Sequence, residues 1–317
     1  MRPTALFFLY LFCCLVLGAL LTYPLMQSVQ IDYPPERVLG RAAQVLILIG
    51  LWPFLKAMGL NRRDALGYGV SRPEFLSALW RGWLIGVAIL LVLAILLVAL
   101  QIRIAETWDA GFAASLARKA LQALIGGLLI GVLEETFFRG ALYSAVRRRG
   151  GAASALFWSA FLFALLHFMK PHGLPDGVAF DWAGTWQMLV HVFTGALQWK
   201  HLDSMVALFL VGLLLALVRE RSGHIGWCIG LHAGWVFVIQ VTRRLTDGND
   251  QSEFAFLVGD YDGTIGWLAA AWLGLLILVY GISIHIGSAF SGASSGSCET
   301  SRERDRAADG YQKKKQT

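Results

Sequence analysis

Hydrophobic residues dominate the chain in long runs that short polar segments separate. A helix that crosses the hydrocarbon core of a bilayer needs about 20 predominantly apolar residues. Runs of this length predict about eight transmembrane helices. The predicted spans are Thr4–Met26, Val38–Leu60, Gly82–Ile102, Ala120–Val146, Ala152–Phe168, Ser204–Val218, Gly223–Val241 and Thr264–Ile286. The predicted fold class is therefore all-α, a polytopic membrane helix bundle.

Composition supports this interpretation. Of the 317 residues, 56% are hydrophobic and 15% are charged, whereas a soluble domain has roughly 45–50% apolar and about 25% charged residues. Most of the 27 Lys and Arg residues fall in segments that lie on one side of the membrane if the amino terminus is inside. The excess of cations on that side predicts that both termini are cytoplasmic. The same distribution accounts for the net charge of +6, so nucleic acid is not a predicted partner.

The longest interior connection lies between the fifth and sixth predicted spans. It opens with the turn-rich stretch KPHGLPDG, which begins at Lys170, and continues with apolar residues at helical spacing. This pattern predicts an interfacial or re-entrant helix beside the bundle. Further along, GDYDG at Gly259–Gly263 predicts a turn.

Three ionisable residues interrupt the fourth predicted span, in the stretch LEETFFRG. Each ionisable side chain at membrane depth costs about 2.5–3.5 kcal/mol on insertion scales, so the group is either compensated or functional. Glu135 and Arg139 are four residues apart, and this spacing predicts that they pair on one helix face. Glu134 is rotated from Glu135 by about 100° around the helix and points elsewhere. One carboxylate therefore lacks a partner on its own helix.

Two histidines in other predicted spans are candidate partners for that carboxylate. His167 follows Phe163 by four residues in the fifth span, and His232 lies in the seventh. A purely structural histidine is the alternative for each of them. Gly127 and Gly131 form a small-xxx-small pair one turn before the two glutamates, which predicts close approach of a neighbouring helix.

Three short motifs resemble the signature of the CPBP intramembrane proteases, a family that includes type II CAAX prenyl endopeptidases and bacteriocin-processing (Abi) proteins. EETFFR matches E-E-x-x-x-R through Glu134, Glu135 and Arg139, and FALLH matches F-x-x-x-H through Phe163 and His167. HAGWV matches H-x-x-x-N only at His232, because valine stands at position 236. The resemblance covers roughly Ala120 to Gln240.

The resemblance implies that Glu134 and His167 activate a water molecule and that His232 helps to stabilise the oxyanion. Arg139 would hold Glu135 and orient the helix. Two histidines and one glutamate also form a set that binds zinc in hydrolases, so Glu134, His167 and His232 are the metal ligands in a zinc-dependent alternative. The helix signature H-E-x-x-H is absent, which favours metal-free water activation.

Four segments are predicted: N-terminal transmembrane helices at 1–119, a CPBP-like catalytic core at 120–242, a last transmembrane hairpin region at 243–288, and a disordered cytoplasmic tail at 289–317. The first functional hypothesis is an intramembrane endopeptidase that cleaves a membrane-embedded or prenylated (lipidated) peptide. The alternative is a non-catalytic scaffold or immunity protein that uses the same fold to bind a partner. A transporter with an intramembrane ion relay ranks third, because no inverted repeat is visible.

Overall fold

The structure is a computed structural model that describes residues 3–29, 32–107, 111–175, 177–196 and 198–282. The described residues divide into two units, one that ends at Ala271 and one that begins at Trp272. The tail predicted at 289–317 lies outside the described residues.

The described chain is almost entirely helical. The helices are α1 (Pro3–Ser28), α2 (Pro35–Ala57), α3 (Arg72–Ala99), α4 (Phe112–Glu135), α5 (Tyr143–Phe168), α6 (Trp182–Ala196), α7 (Leu202–Ser222), α8 (Gly226–Leu245) and α9 (Trp267–Ile282). A π-helical segment, Thr136–Leu142, joins α4 to α5. Two three-residue strands, β1 (Arg103–Ala105) and β2 (Thr246–Gly248), pair in antiparallel fashion.

Among the described residues, five helical segments are long and apolar enough to cross a membrane. They are Pro3–Ser28, Pro35–Ala57, Arg72–Ala99, Phe112–Phe168 and Trp199–Ser222. The prediction of an all-α membrane helix bundle is confirmed, whereas the count of eight spans stays a prediction. A helix is also present in the connection where an interfacial one was predicted: α6 has 15 residues, about 22 Å at 1.5 Å per residue. It packs against α1, where Tyr23 and Trp182 have ring centroids 5.0 Å apart.

The longest helical segment contains a break at the place where the sequence separates two predicted spans. Its 57 residues would extend about 85 Å as one helix, far beyond the roughly 30 Å hydrocarbon core of a bilayer. Gly151 interrupts it with φ 79° and ψ 178°, a conformation that glycine adopts without a Cβ penalty. The chain can therefore reverse direction after the RRRG stretch.

Helix α8 is packed between α3 and α4 through glycines. A Cβ on Gly86 of α3 would lie 2.5 Å from the Leu231 carbonyl oxygen, and one on Gly234 of α8 would lie 2.6 Å from the Trp83 carbonyl oxygen. On the other side, a Cβ on Gly127 or Gly131 of α4 would lie 3.0–3.1 Å from carbonyl oxygens of α8. Small residues let helix backbones approach this closely. The close approach predicted for Gly127 and Gly131 is confirmed.

Polar side chains hold the connections next to β1 and β2. Arg103 donates from Nε to Thr246 Oγ1 at 2.7 Å and from Nη2 to the Thr246 carbonyl at 2.6 Å. Arg244 pairs with Glu106 at 2.6 Å between Nη1 and Oε2. Arg103 and Glu106 follow α3 in the chain, so these bonds hold the end of α8 against the connection that leaves α3.

Candidate active site

The two adjacent glutamates sit where α4 changes into the π-helical segment. Glu135 is the last residue of α4, and residues 136–142 continue as a π-helix before α5 begins. Short π-helical segments inside α-helices occur frequently at functional sites. Here the change in helix geometry directly follows Glu134 and Glu135 and includes Arg139.

Glu135 and Arg139 form the ion pair that their spacing predicted. Arg139 Nη1 lies 3.1 Å from Glu135 Oε1, and both side chains are 0% exposed. Arg139 Nη2 also donates to the carbonyl of Gly212 in α7 at 3.0 Å. Two buried opposite charges with further hydrogen bonds compensate each other's loss of hydration. Glu135 is therefore a buried carboxylate held by Arg139, although Glu135 Oε2 and Arg139 Nε have no hydrogen-bond partner among the described residues.

His232 joins this pair from α8. Its Nδ1 lies 2.8 Å from Glu135 Oε1. An ionised carboxylate only accepts hydrogen bonds, so Nδ1 carries the proton and donates it to Glu135. In the neutral ring the unprotonated nitrogen is then Nε2. The direct partner of His232 is thus Glu135, the carboxylate that the sequence assigned to Arg139 alone.

Glu134 differs from its neighbour in exposure and in its ion pairing. Its side chain is 32% exposed, and its Oε2 lies 3.9 Å from His232 Nε2. This oxygen is buried and has no hydrogen-bond partner within the described part of the chain. The distance is too long for a direct hydrogen bond, and a polar gap of this size is one that a single water molecule can bridge.

Phe163 lies between the arginine and the two histidines. Its ring centroid is 4.5 Å from Arg139 Cζ, 4.5 Å from the His167 ring and 6.0 Å from the His232 ring. A guanidinium over an aromatic face is attracted by the ring quadrupole. Phe163 is 1% exposed, so it is a buried ring that packs against Arg139 and His167.

His167 is oriented by its own helix. Its Nδ1 lies 2.6 Å from the Phe163 carbonyl oxygen, which can only accept, so Nδ1 is the donor and Nε2 is the unprotonated nitrogen of the neutral ring. His167 is partly buried, and its ring and that of His232 both lie near the Phe163 ring, while Glu134 faces His232. The structure therefore brings Glu134, His167 and His232 into one region, although their roles stay predictions.

Tyr261 is a residue near this region that the sequence did not single out. Its ring centroid is 6.5 Å from that of His167, and its hydroxyl accepts a hydrogen bond from Lys170 Nζ at 3.0 Å. Burial raises the pKa of Tyr261, with the charges of Asp262 and Glu134 adding to the effect, so the phenol keeps its proton. The sequence predicted only a turn here, and nothing in the local pattern indicates that the turn reaches His167.

The zinc-dependent alternative was tested against the positions of the donor atoms. Within the described residues, no three His, Cys, Asp or Glu side chains are grouped so that they could hold a metal ion. His232 Nδ1 is engaged by Glu135 and His167 Nδ1 by the Phe163 carbonyl. Among the described residues, the Nε2 atoms of both rings stay unengaged, as in metal-binding histidines whose other nitrogen donates to a carboxylate or a carbonyl; the choice between zinc-dependent and metal-free activation stays a prediction.

Comparison with known protein families bears on the same segment. A family model described as Rce1-like, Type II CAAX prenyl endopeptidase, matches residues 116–238. The match shows that this segment is similar to that family, and it supports membership of the CPBP family. The matched residues run from α4 into α8 and include all three motifs. Neither a curated protein nor a solved structure gives a significant match.

Similarity to this family supports CAAX-type intramembrane protease function in general terms. With the five long apolar helices, it also supports an integral membrane protein. The orientation of the termini stays a prediction.

Proposed function

We propose that the chain is an intramembrane endopeptidase that hydrolyses a peptide bond in a membrane-associated or lipidated peptide, with water as the nucleophile. Glu134 acts as general base together with His167, and His232 stabilises the oxyanion. Glu135, Arg139 and Phe163 position these groups.

The observation that carries the proposal is the gap between Glu134 and His232. Glu134 Oε2 and His232 Nε2 face each other across 3.9 Å, and His232 is held from behind by Glu135 at 2.8 Å. A single water molecule in this gap would contact both Glu134 and His232. Glu135 is paired with Arg139 and contacts His232, so Glu134 is the carboxylate that stays available.

The inferred proton positions support one proposed task for each group. Glu134 accepts a proton from water as the water oxygen attacks the scissile carbonyl carbon, and the same proton then goes to the leaving amine. The unprotonated Nε2 of His167 accepts a hydrogen bond from the water and orients it. His232 donates to the oxyanion from Nε2 when its ring is protonated, because Nδ1–H already serves Glu135.

The surface of α4 next to Glu134 suits an apolar substrate. Ile130 and Leu133 lie in the last turn of α4 before Glu134, and each is 40% exposed. Glu134 therefore lies at the boundary between an apolar outer face and the polar interior. A prenylated or membrane-embedded peptide that lies along this face would bring its backbone towards Glu134 without crossing a polar barrier.

One observation favours the non-catalytic alternative. Val236, at the position of the family's asparagine, packs against α4, with its Cβ 3.4 Å from the place of a Cβ on Gly127. A valine side chain supplies no hydrogen-bond donor to an oxyanion. A scaffold or immunity protein would tolerate this substitution, whereas an enzyme must obtain the donor elsewhere.

The decisive experiment is cleavage of a fluorogenic prenylated peptide by membranes that contain Glu134→Gln or His167→Ala. Loss of a general base lowers the rate by roughly 100- to 10,000-fold. Glu74→Gln is the matched control, because Glu74 is exposed and lies outside the site. Undiminished cleavage by Glu134→Gln would refute the catalytic assignment. If wild-type protein never cleaves any peptide of this class, the scaffold is favoured.

A further inference from the structure

A polar cavity of about 360 Å³ lies away from the candidate active site, where the start of α5 meets the end of α7. Ligand sites typically have volumes of roughly 300–1,000 Å³. Five charged side chains line it: Asp64, Arg147, Arg148, Arg219 and Glu220. Three cations thus face two carboxylates.

Arg219 is the unusual member of this set. It is only 9% exposed, and within the described residues it forms no ion pair with a carboxylate. Its Nε donates to the backbone carbonyl of Arg139 at 3.2 Å, while a guanidinium has five N–H donors. A buried charge without a countercharge is costly. The cavity therefore places an uncompensated cation in its wall.

The carboxylates of the cavity are already engaged. Glu220 pairs with Arg147 at 2.9 Å and also accepts a hydrogen bond from the hydroxyl of Tyr143. Asp64 is directed to Arg62, at 3.6 Å, and both of these side chains are mostly exposed. Neither carboxylate neutralises Arg219.

Arg148 is the second available cation. Its guanidinium makes one long hydrogen bond, from Nη1 to the Gly59 carbonyl at 3.4 Å, and forms no ion pair within the described part of the chain. The hydroxyl-bearing Ser144 also lines the cavity. Two guanidinium groups and a hydroxyl are the donor set that suits a tetrahedral oxyanion, because Arg binds phosphate oxygens through paired N–H groups.

We propose that this cavity binds a phosphate group, with Arg219 and Arg148 as its main ligands. The phosphate belongs either to the headgroup of an anionic phospholipid or to a free phosphate ion. A basic pocket between transmembrane helices is a physically suitable headgroup site. Because Arg219 also holds the Arg139 carbonyl, the bound anion stabilises the π-helical segment.

The test is thermal unfolding of the purified full-length protein in neutral detergent, followed by tryptophan fluorescence. Sodium phosphate is titrated against sodium chloride at equal ionic strength. Dihexanoyl phosphatidylglycerol is titrated against dihexanoyl phosphatidylcholine. A bound phosphate raises the unfolding temperature saturably, by roughly 5 °C at a hundredfold excess over its dissociation constant.

Variants locate the binding. Arg219→Gln and Arg148→Gln are each expected to weaken the apparent affinity at least about tenfold, as expected for lost hydrogen bonds to a charged group. Arg148→Gln covers the case in which Arg219→Gln does not fold. Arg221→Gln is the control, because Arg221 is exposed and does not line the cavity.

Each outcome decides the proposal. A saturable response to free phosphate identifies the ion as a ligand, and a response to phosphatidylglycerol alone identifies the lipid headgroup; both support the site. No response beyond the chloride and phosphatidylcholine controls would overturn it. Equal affinity in wild type, Arg219→Gln and Arg148→Gln, or equal weakening by Arg221→Gln, would also overturn it.

Discussion

Replacing Glu135 with glutamine is expected to destabilise the protein strongly, because the substitution leaves Arg139 as a buried cation without its countercharge. Both side chains are 0% exposed and 3.1 Å apart. Breaking a buried ion pair by removal of one partner costs about 3–5 kcal/mol. The hydrogen bond from His232 Nδ1 at 2.8 Å loses its charged acceptor as well, so the loss should not fall below this range.

The free energy of unfolding would be measured by titrating dodecyl sulfate into neutral micelles, with tryptophan fluorescence as the signal. Glu134→Gln is the matched control, since it makes the same change one residue earlier. Its side chain is 32% exposed, and within the described chain no Lys or Arg pairs with it. The control is expected to change stability by less than about 1 kcal/mol.

The double variant Glu135→Gln with Arg139→Met separates the ion pair from other effects. Replacing both members of a buried pair by groups of similar size is often near neutral, so the double variant should be more stable than Glu135→Gln alone. The reasoning is refuted if Glu135→Gln is as stable as Glu134→Gln. It is also refuted if the mutant cycle shows no coupling between the two positions.

Further predictions concern packing, the valine at the family's asparagine position, and the metal. Gly86→Val should abolish folded protein, because the new Cβ would lie 2.5 Å from the Leu231 carbonyl oxygen. Gly126→Val is the control, because a Cβ at Gly126 would have no atom within 4 Å. The control should be recovered from membranes at wild-type yield. Val236→Asn should lower the free energy of unfolding by about 1 kcal/mol or more, because the new amide would lie against Gly127 without a hydrogen-bond partner. A gain in peptide cleavage by this variant would contradict the prediction, because it would mean that the amide reaches the oxyanion. Peptide cleavage should continue in the presence of phenanthroline, which removes zinc. If phenanthroline stops cleavage and added zinc restores it, water activation by side chains alone is contradicted.

Much of the helical framework could be predicted from local patterns. Long apolar runs indicate helices because a backbone in a bilayer must satisfy its hydrogen bonds internally. The pairing of Glu135 with Arg139 depends only on their spacing, and the structure confirms it. The break near Gly151 also agrees with the boundary predicted between the fourth and fifth spans.

The partner of His232 could not be predicted in this way. His232 and Glu135 are 97 positions apart in the chain, and a motif shows only that both are present. Their contact depends on how α8 seats between α3 and α4, where glycines such as Gly86 and Gly234 bring the backbones together. The approach of Tyr261 to His167 has the same origin, since a turn carries no local signal of what it will cover.

The sequence by itself therefore determined the membrane helices, the resemblance to a protease family and the candidate residues, because periodicity and spacing act over a few turns of one helix. Only the tertiary structure decided which carboxylate is held and which is available. Glu135 is committed to Arg139 and His232, and Glu134 faces His232 across 3.9 Å. That distinction arises from burial and from contacts between helices, which no single helix contains.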